Sequence, residues 1–279
     1  MNDKTVMEVI QENYNDIFSA EKKVADYVLK NPQDAVNATV AELAAKSGVS
    51  DATVVRMCRH LGYTGYYQFK VMLAKYVGRY EEDNNESSNE NEMNAMTKIL
   101  NRYAESVVEI GENIEDEVLH ECIKLMNSCK QVHILAVGNT TPLALYMGFR
   151  LGRLGIHCSF GIAPEYFMNH VNLASPEDII FAISQSGSSR QVIQGMELAK
   201  DKGLKSIAIT GVKTSPVAEL ADYALISSNR KESFSYYRSY AHLKETALID
   251  ALIELLTNWA TIESKDADKP EIILSEYKY

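Results

Sequence analysis

The sequence predicts a two-domain chain: an all-α helix-turn-helix domain, then an α/β domain built on a doubly wound parallel sheet. Three observations carry this. Residues Val40 to Leu61 pattern as two helices joined by a tight turn. From Gln131 onward, short apolar runs alternate with helical segments. Between these regions lies GRYEEDNNESSNENEMN, an acidic polar stretch that offers no core after Tyr80. The expected boundaries are 1–77 for the helical domain, 78–94 for the linker and 95–279 for the sheet domain. A chain of 279 residues with 46% hydrophobic content is ample for two cores.

The first 77 residues show only helical periodicity. Ser19-Ala20-Glu21-Lys22 opens a helix with Val24, Tyr27 and Val28 as its stripe, and Asn31-Pro32 stops it. Thr39 and Glu42 have the spacing of a capping box, Leu43 and Ala44 give the next helix its apolar face, and Gly48 ends it. Ser50 then caps a second helix, with Asp51 suited to the positive end of its dipole. Val49, Val54, Met57, Cys58 and Leu61 fall on its buried side. The other side carries Ser50, Asp51, Ala52, Val55, Arg56 and Arg59, the candidate DNA contacts. A recognition helix needs small residues where it enters the major groove, then side chains that bond base edges or phosphates. After Gly62 and Gly65 a further helix follows, with Tyr66, Phe69, Val71, Met72 and Leu73 apolar.

The net charge of −10 looks wrong for a nucleic-acid binder, but it is unevenly spread. Between Val40 and Tyr80 the six cations Lys46, Arg56, Arg59, Lys70, Lys75 and Arg79 face the two anions Glu42 and Asp51, a local +4. A local basic patch is what phosphate binding requires. No apolar run approaches the roughly 20 residues of a bilayer span, and MNDKTVMEVIQENYND is too acidic for a signal peptide. A cytoplasmic protein without a membrane partner is expected. Cys58, Cys122, Cys129 and Cys158 form no CxxC pair. They read as core hydrophobes, so no metal and no cofactor is expected.

A helical pattern resumes over 95–127, with Ile99, Tyr103, Val107 and Ile110 about one turn apart. Four strands are then predicted at 131–137, 178–184, 204–210 and 222–228, with helices near Leu143–Leu154, Glu165–Leu173, Gln191–Lys202 and Pro216–Ala221. Alternating buried strands and helices imply a parallel sheet covered on both faces. A last helix runs from Leu243 to Ala260.

Ligands of such sheets bind at the carboxyl ends of the strands. The second predicted strand runs into Ser184-Gln185-Ser186-Gly187-Ser188-Ser189, and a helix starts at about Arg190. Hydroxyls, free N–H groups at a helix start and a glycine together make an anion cradle, although four serines also suit a plain hydrophilic turn. The first strand ends in Gly138-Asn139-Thr140, which could hold the rest of the same ligand. It is not a dinucleotide fingerprint, because two glycines are missing.

These residues together resemble the RpiR/MurR family of bacterial transcriptional regulators, in which a helix-turn-helix domain precedes a sugar isomerase (SIS) domain that senses phosphosugars. The resemblance rests on SAEKKVADYVLKNP, TVAELAAKSGVSDATVVRMCRHLGYTGYYQFK, AVGNTT, AISQSGSSRQVI, IAITGVKTSPVAELADYALIS and ALIDALIEL, in that order. It implies a phosphate turn at Ser184, Gln185, Ser186 and Ser189, and a second ligand loop at Gly138, Asn139 and Thr140. That loop usually reads Gly-x-Gly-x-Ser; here Ala136 replaces the first glycine and Thr140 the serine. The SQSG wording also resembles the isomerase domain of glucosamine-6-phosphate synthase, which puts Glu232 near a proton-shuttling glutamate. The glycines around that position are absent, so Glu232 is taken as a ligand contact rather than a catalytic group.

The expected function is a transcriptional regulator of sugar metabolism, not an enzyme. Its partners are pseudo-palindromic operator DNA and a phosphorylated sugar or amino sugar. The alternative is a phosphosugar isomerase with an appended helical domain, for which Glu165, His170, Glu232 and His242 are the candidate bases. An isomerase has no use for the first domain; a regulator needs both. A single helix-turn-helix reads too few base pairs, so a homodimer or dimer of dimers is expected, with the Ile99–Ile110 and Leu243–Ala260 helices as contact surfaces or as cover for their own sheet.

Overall fold

The computed structural model describes residues 4–85, 92–161, 163–227, 242–259 and Ser275. The chain divides into two compact units, with the division between Lys98 and Ile99.

The first unit contains α1 (Val6–Asn13), α2 (Ser19–Lys30), α3 (Pro32–Asn37), α4 (Val40–Ser47), α5 (Asp51–His60) and α6 (Tyr66–Asn85). The α4–α5 hairpin forms as the pattern requires. The Glu42 N–H donates to Thr39 Oγ1 at 3.2 Å and the Thr39 N–H to Glu42 Oε2 at 2.9 Å. Gly48 turns the chain at φ +64°, a left-handed conformation that costs glycine nothing. The Thr53 N–H donates to Ser50 Oγ at 3.4 Å, capping α5. Val54, Met57 and Cys58 are buried with Leu43, Ala44, Val24, Val28, Phe69 and Leu73 in one core.

Helix α2 opens at Ser19 as read; its N-cap is Phe18, whose N–H donates to Glu21 Oε2 at 3.2 Å while its side chain supplies no bond. Pro32 ends α2 but also opens α3, as proline at a first helical position can, because its missing N–H has no partner there anyway. In addition, α6 runs on to Asn85, into the stretch read as linker. Once nucleated, a helix gains one hydrogen bond per added residue, and Arg79, Glu81 and Glu82 are good helix formers.

The second unit begins within α7 (Glu92–Asn113), followed by α8 (Asp116–Ser128). It then alternates: β1 (Val132–Leu135), α9 (Thr141–Arg153), β2 (Cys158–Phe160), α10 (Pro164–Leu173), β3 (Ile179–Ile183), α11 (Arg190–Asp201), β4 (Lys205–Thr210), α12 (Pro216–Leu220), β5 (Tyr223–Ile226) and α13 (Leu243–Trp259). All five strands are parallel, in the order β2-β1-β3-β4-β5. The sequence reading found four of them. It missed β2, which is three residues long, lies at the sheet edge and exposes Phe160. Period two explains the continuous apolar runs. Ile179, Phe181 and Ile183 face a core with α8, α9 and α13, while Ile180 and Ala182 face one with α10, α11 and α12. The four cysteines carry no disulfide. Burial pushes the thiols of Cys58, Cys122 and Cys158 up to about 12 and that of Cys129 to about 11, as befits packing residues.

Candidate functional site

The strand order places a topological switch between β1 and β3, because the chain leaves β1 toward one edge and β3 toward the other. A crevice opens at the carboxyl ends of two such strands. The two loops singled out from the sequence lie there. Gly138–Thr140 forms a short 3-10 turn after β1, and residues 184–189 follow β3. Thr140 ties them together: its Oγ1 lies 3.1 Å from the Ile183 carbonyl and 3.0 Å from that of Val137. Its hydroxyl is therefore spent on holding the loops, while Gly138 and Asn139 are exposed.

The 184–189 turn is built from below. Ser184 and Gln185 are buried; Ser186 and Ser189 are half-buried and Ser188 is exposed. Ser184 Oγ donates to Ser189 Oγ at 3.3 Å, and the Ser188 N–H donates to Ser186 Oγ at 3.3 Å. The Gln185 carbonyl accepts from the Gly211 N–H at 2.8 Å and from Thr210 Oγ1 at 3.4 Å. Gly187 adopts φ +62°, donates its N–H to the Ser184 carbonyl at 2.9 Å, and accepts from the Val217 N–H at 3.1 Å. A Cβ there would overlap Ser215 and come within 2.8 Å of Thr210 Oγ1. Ser189 begins α11 without a side-chain cap bond, so the first N–H groups of that helix keep the positive end of its dipole open to an anion. Thr210 and Ser215, the floor beneath Gly187, were not recognised in the sequence. The only signal was Ser215-Pro216, a helix-start pair, which the Ser215 cap of α12 now explains.

Glu232 lies outside the described residues. Of the other candidate bases, Glu165 is exposed, His170 stacks on His133 with ring centroids 6.1 Å apart, and His242 lies 3.7 Å from Glu245. His133 belongs to a buried polar group at the second residue of β1. Its Nδ1 is 2.6 Å from Ser159 Oγ and its Nε2 3.3 Å from Asp178 Oδ2. Burial, more than any charge, holds its pKa below the usual imidazole value.

In the first unit, Ser50, Asp51, Ala52, Arg56 and Arg59 are exposed along α5 and Val55 is half-buried. The Arg56 guanidinium donates to Thr53 Oγ1 at 3.2 Å, which orients it along the helix. The basic patch is narrower than its sequence implied. Lys70 is 7% exposed and donates from Nζ to the Ala38 carbonyl at 2.8 Å, where Tyr66 Oη also donates at 2.7 Å. Burial drives its pKa from 10.5 down to about 8. Lys46 is paired with Asp34 at 2.5 Å. Arg56, Arg59 and Lys75 remain as exposed cations whose side chains the structure describes. Among the described residues no group of three or more His, Cys, Asp or Glu could hold a metal ion, and no helix is long and apolar enough to cross a membrane.

Comparison with known proteins agrees with this division. The model of the helix-turn-helix domain of the rpiR family matches residues 4–79, and that of the SIS domain matches residues 125–257. An uncharacterized HTH-type transcriptional regulator of Thermotoga maritima is 24% identical over 98% of this chain and 99% of its own. Among solved structures, the Vibrio vulnificus NanR protein complexed with ManNAc-6P superposes with a TM-score of 0.76 at 22% identity, covering 99% of this chain and 100% of that one. The sugar isomerase domain of an RpiR transcription factor from Sphaerobacter thermophilus reaches 0.54 at 16% identity over 64% of this chain and 97% of its own. With an rpiR-type reading head and a SIS domain matched in the order the residues imply, the chain belongs to the RpiR family of helix-turn-helix transcriptional regulators.

Proposed function

We propose that this regulator binds operator DNA under the control of a phosphorylated sugar or amino sugar held by its second unit. The observation that carries the reading is the pair of loops at the β1/β3 switch, joined through Thr140 and ending at the open start of α11. The phosphate sits on the turn of Ser184, Gln185, Ser186 and Ser189, and the sugar extends toward Gly138, Asn139 and Thr140, with Glu232 as a further contact. The NanR complex with ManNAc-6P supports a ligand of this class. Ser50, Asp51, Ala52, Val55, Arg56 and Arg59 face the DNA. The protein works in the cytoplasm as a homodimer or dimer of dimers on a pseudo-palindromic site, with residues 1–77 and 95–279 as its two domains.

A thermal-shift series with sugar 6-phosphates, ManNAc-6P among them, tests the ligand. A ligand at 100 times its Kd adds about 2.7 kcal/mol to the native state. At ~2–4 °C per kcal/mol that is a rise of roughly 5–10 °C. Inorganic phosphate and the unphosphorylated sugars are expected to give far smaller shifts. No rise with any sugar phosphate would overturn the proposal.

A further inference from the structure

Glu21 of α2 is a carboxylate buried in the first unit, 1% exposed. Its Oε2 accepts from the Phe18 N–H at 3.2 Å and lies 2.9 Å from His60 Nδ1. Its Oε1 is buried and has no hydrogen-bond partner among the described residues. Burying a carboxylate in this way is costly unless a charge faces it, and the ring of His60 is the group placed to supply one. His60 is the last residue of α5, where the negative end of the helix dipole favours a cation. It stands four residues beyond Arg56 and so shares that residue's side of the helix. Its side chain is 44% exposed. The Phe18 ring leans on it with centroids 5.4 Å apart, and among the described residues only Nδ1 of the imidazole is hydrogen-bonded.

We infer that His60 is a DNA-phosphate contact switched on by protonation, with Glu21 as the residue that positions it; the inference rests on the proposal that α5 faces DNA. The chemistry follows from the two ring nitrogens. A neutral imidazole carries one proton and a charged one carries two, while a carboxylate only accepts. Glu21 therefore keeps a proton on Nδ1 in either state, and Nε2 bears the proton that comes and goes. Without it, Nε2 turns a lone pair toward a phosphate oxygen, which repels it. With it, Nε2 offers an N–H and a charge, which a phosphate oxygen binds. Imidazole is the side chain whose charge changes between about pH 5 and 8, so the contact forms on acidification. The other charges on the helices packed against α5 are engaged elsewhere or exposed. On α2, Lys22 lies over the Tyr14 ring and Asp26 accepts from the Tyr14 hydroxyl, with Lys23 and Lys30 exposed. On α4, Glu42 bonds Thr39 and Lys46 pairs with Asp34. On α6, Lys70 bonds the Ala38 carbonyl and Lys75 is exposed. On α5 itself the neighbours are Arg56 and Arg59. Lys70, lowered to about 8, sets the upper limit of a clean comparison.

Anisotropy titrations of the full chain onto duplex DNA at fixed salt test this at about pH 5.5 and about pH 7. Two duplexes are used, an operator obtained by in vitro selection and an unrelated sequence of the same length. A phosphate contact carries no sequence information, so wild type is expected to bind both more tightly at the lower pH, by ~2–10-fold, the net contribution of one hydrogen bond. The salt slope is expected to be steeper there by up to ~0.9. His60→Gln is expected to bind alike at both pH values, no more tightly than wild type at the higher one. His60→Lys, charged throughout, is expected to bind alike at both and to recover the affinity that wild type shows at the lower. Glu21→Gln keeps an acceptor for the Phe18 N–H but loses the charge, so its rise in affinity is expected to move to lower pH; a purely structural role would lower affinity equally at every pH. Circular dichroism checks that each variant keeps its helix content, and should His60→Gln fail that check, His60→Lys is read in its place. A wild type indifferent to pH, a full pH response kept by either His60 variant, or a Glu21→Gln profile that drops in parallel would overturn the inference. Arg56→Ala on the same operator separates the two readings. Unchanged affinity there would refute the placing of α5 on DNA, whereas a weakened Arg56→Ala beside a pH-indifferent wild type would leave α5 standing and refute only the role of His60.

Discussion

Gly187→Ala tests whether the phosphate turn is held from beneath. Gly187 sits at φ +62°, and an added methyl would overlap the Ser215 side chain and lie 2.8 Å from Thr210 Oγ1. Both neighbours are fully buried, so neither can swing into solvent. The left-handed conformation alone costs a non-glycine residue ~1–2 kcal/mol. Forcing a methyl into a packed site adds about 1–3 kcal/mol, and the residue displaced is the cap of α12. The expected loss is about 2–5 kcal/mol, or a fall of roughly 4–20 °C in Tm for a domain of this size. Calorimetry of wild type and variant measures it, and the ligand-induced shift of each measures whether the turn still closes on its ligand. The second substitution Ser215→Gly removes the overlap but not the φ penalty, so the double variant is expected to recover part of the loss, a coupling that contacting sites should show. A variant melting with wild type and keeping its full ligand shift would refute the account of how this turn is built.

Further outcomes follow from other residues. Ser186→Asp places a carboxylate where the phosphate is proposed to lie, so the sugar-phosphate shift is expected to vanish while DNA binding without ligand persists; an undiminished shift removes this turn from the site. Arg56→Ala is expected to cost about 1–3 kcal/mol of operator affinity and to relax the sequence preference, whereas Arg59→Ala is expected to weaken all DNA alike and flatten the salt slope; operator affinity equal to wild type for Arg56→Ala sinks its assignment. Lys70 gives stability a pH dependence of known sign. Its pKa is 10.5 in a free chain and about 8 when folded, so between those values the unfolded state holds more protons and stability rises with pH. Urea unfolding of wild type against Lys70→Met isolates that rise, on the order of 3 kcal/mol across the window; identical pH profiles would contradict the burial. His133 acts in the same sense at lower pH: held below 6.5 by burial, it makes stability fall as pH drops through 6.5, and His133→Gln is expected to flatten that limb of the curve.

What was legible in the sequence was local. Thr39 and Glu42, Gly48 and Ser50 each act through backbone groups within three or four residues of themselves, so their spacing suffices. The turn after β3 was readable for the same reason: hydroxyls, a glycine and a helix start are contiguous. What was not legible depends on separation. Lys46 counts as a free cation until Asp34, twelve residues away, is folded against it. Lys70 carries the stem of an amphipathic residue and the charge of a surface one, and only the packing of α6 under Ala38 shows which prevails. Ser215 matters because Gly187, 28 residues earlier, leaves it no room. Strand β2 escaped because three residues cannot display a period, and its outer residue Phe160 is held in place by a bare glycine on α9 rather than by a core.

The most direct test of ligand-controlled DNA binding is a fluorescence-anisotropy titration of full-length protein onto an operator obtained by in vitro selection, at fixed salt, with and without the sugar phosphate that raises its Tm most. Allosteric coupling of about 1–3 kcal/mol is expected, a change of ~5–150-fold in operator affinity. By reciprocity, operator DNA should change the sugar-phosphate affinity by the same factor. An operator affinity identical with and without a ligand that demonstrably binds would contradict the account.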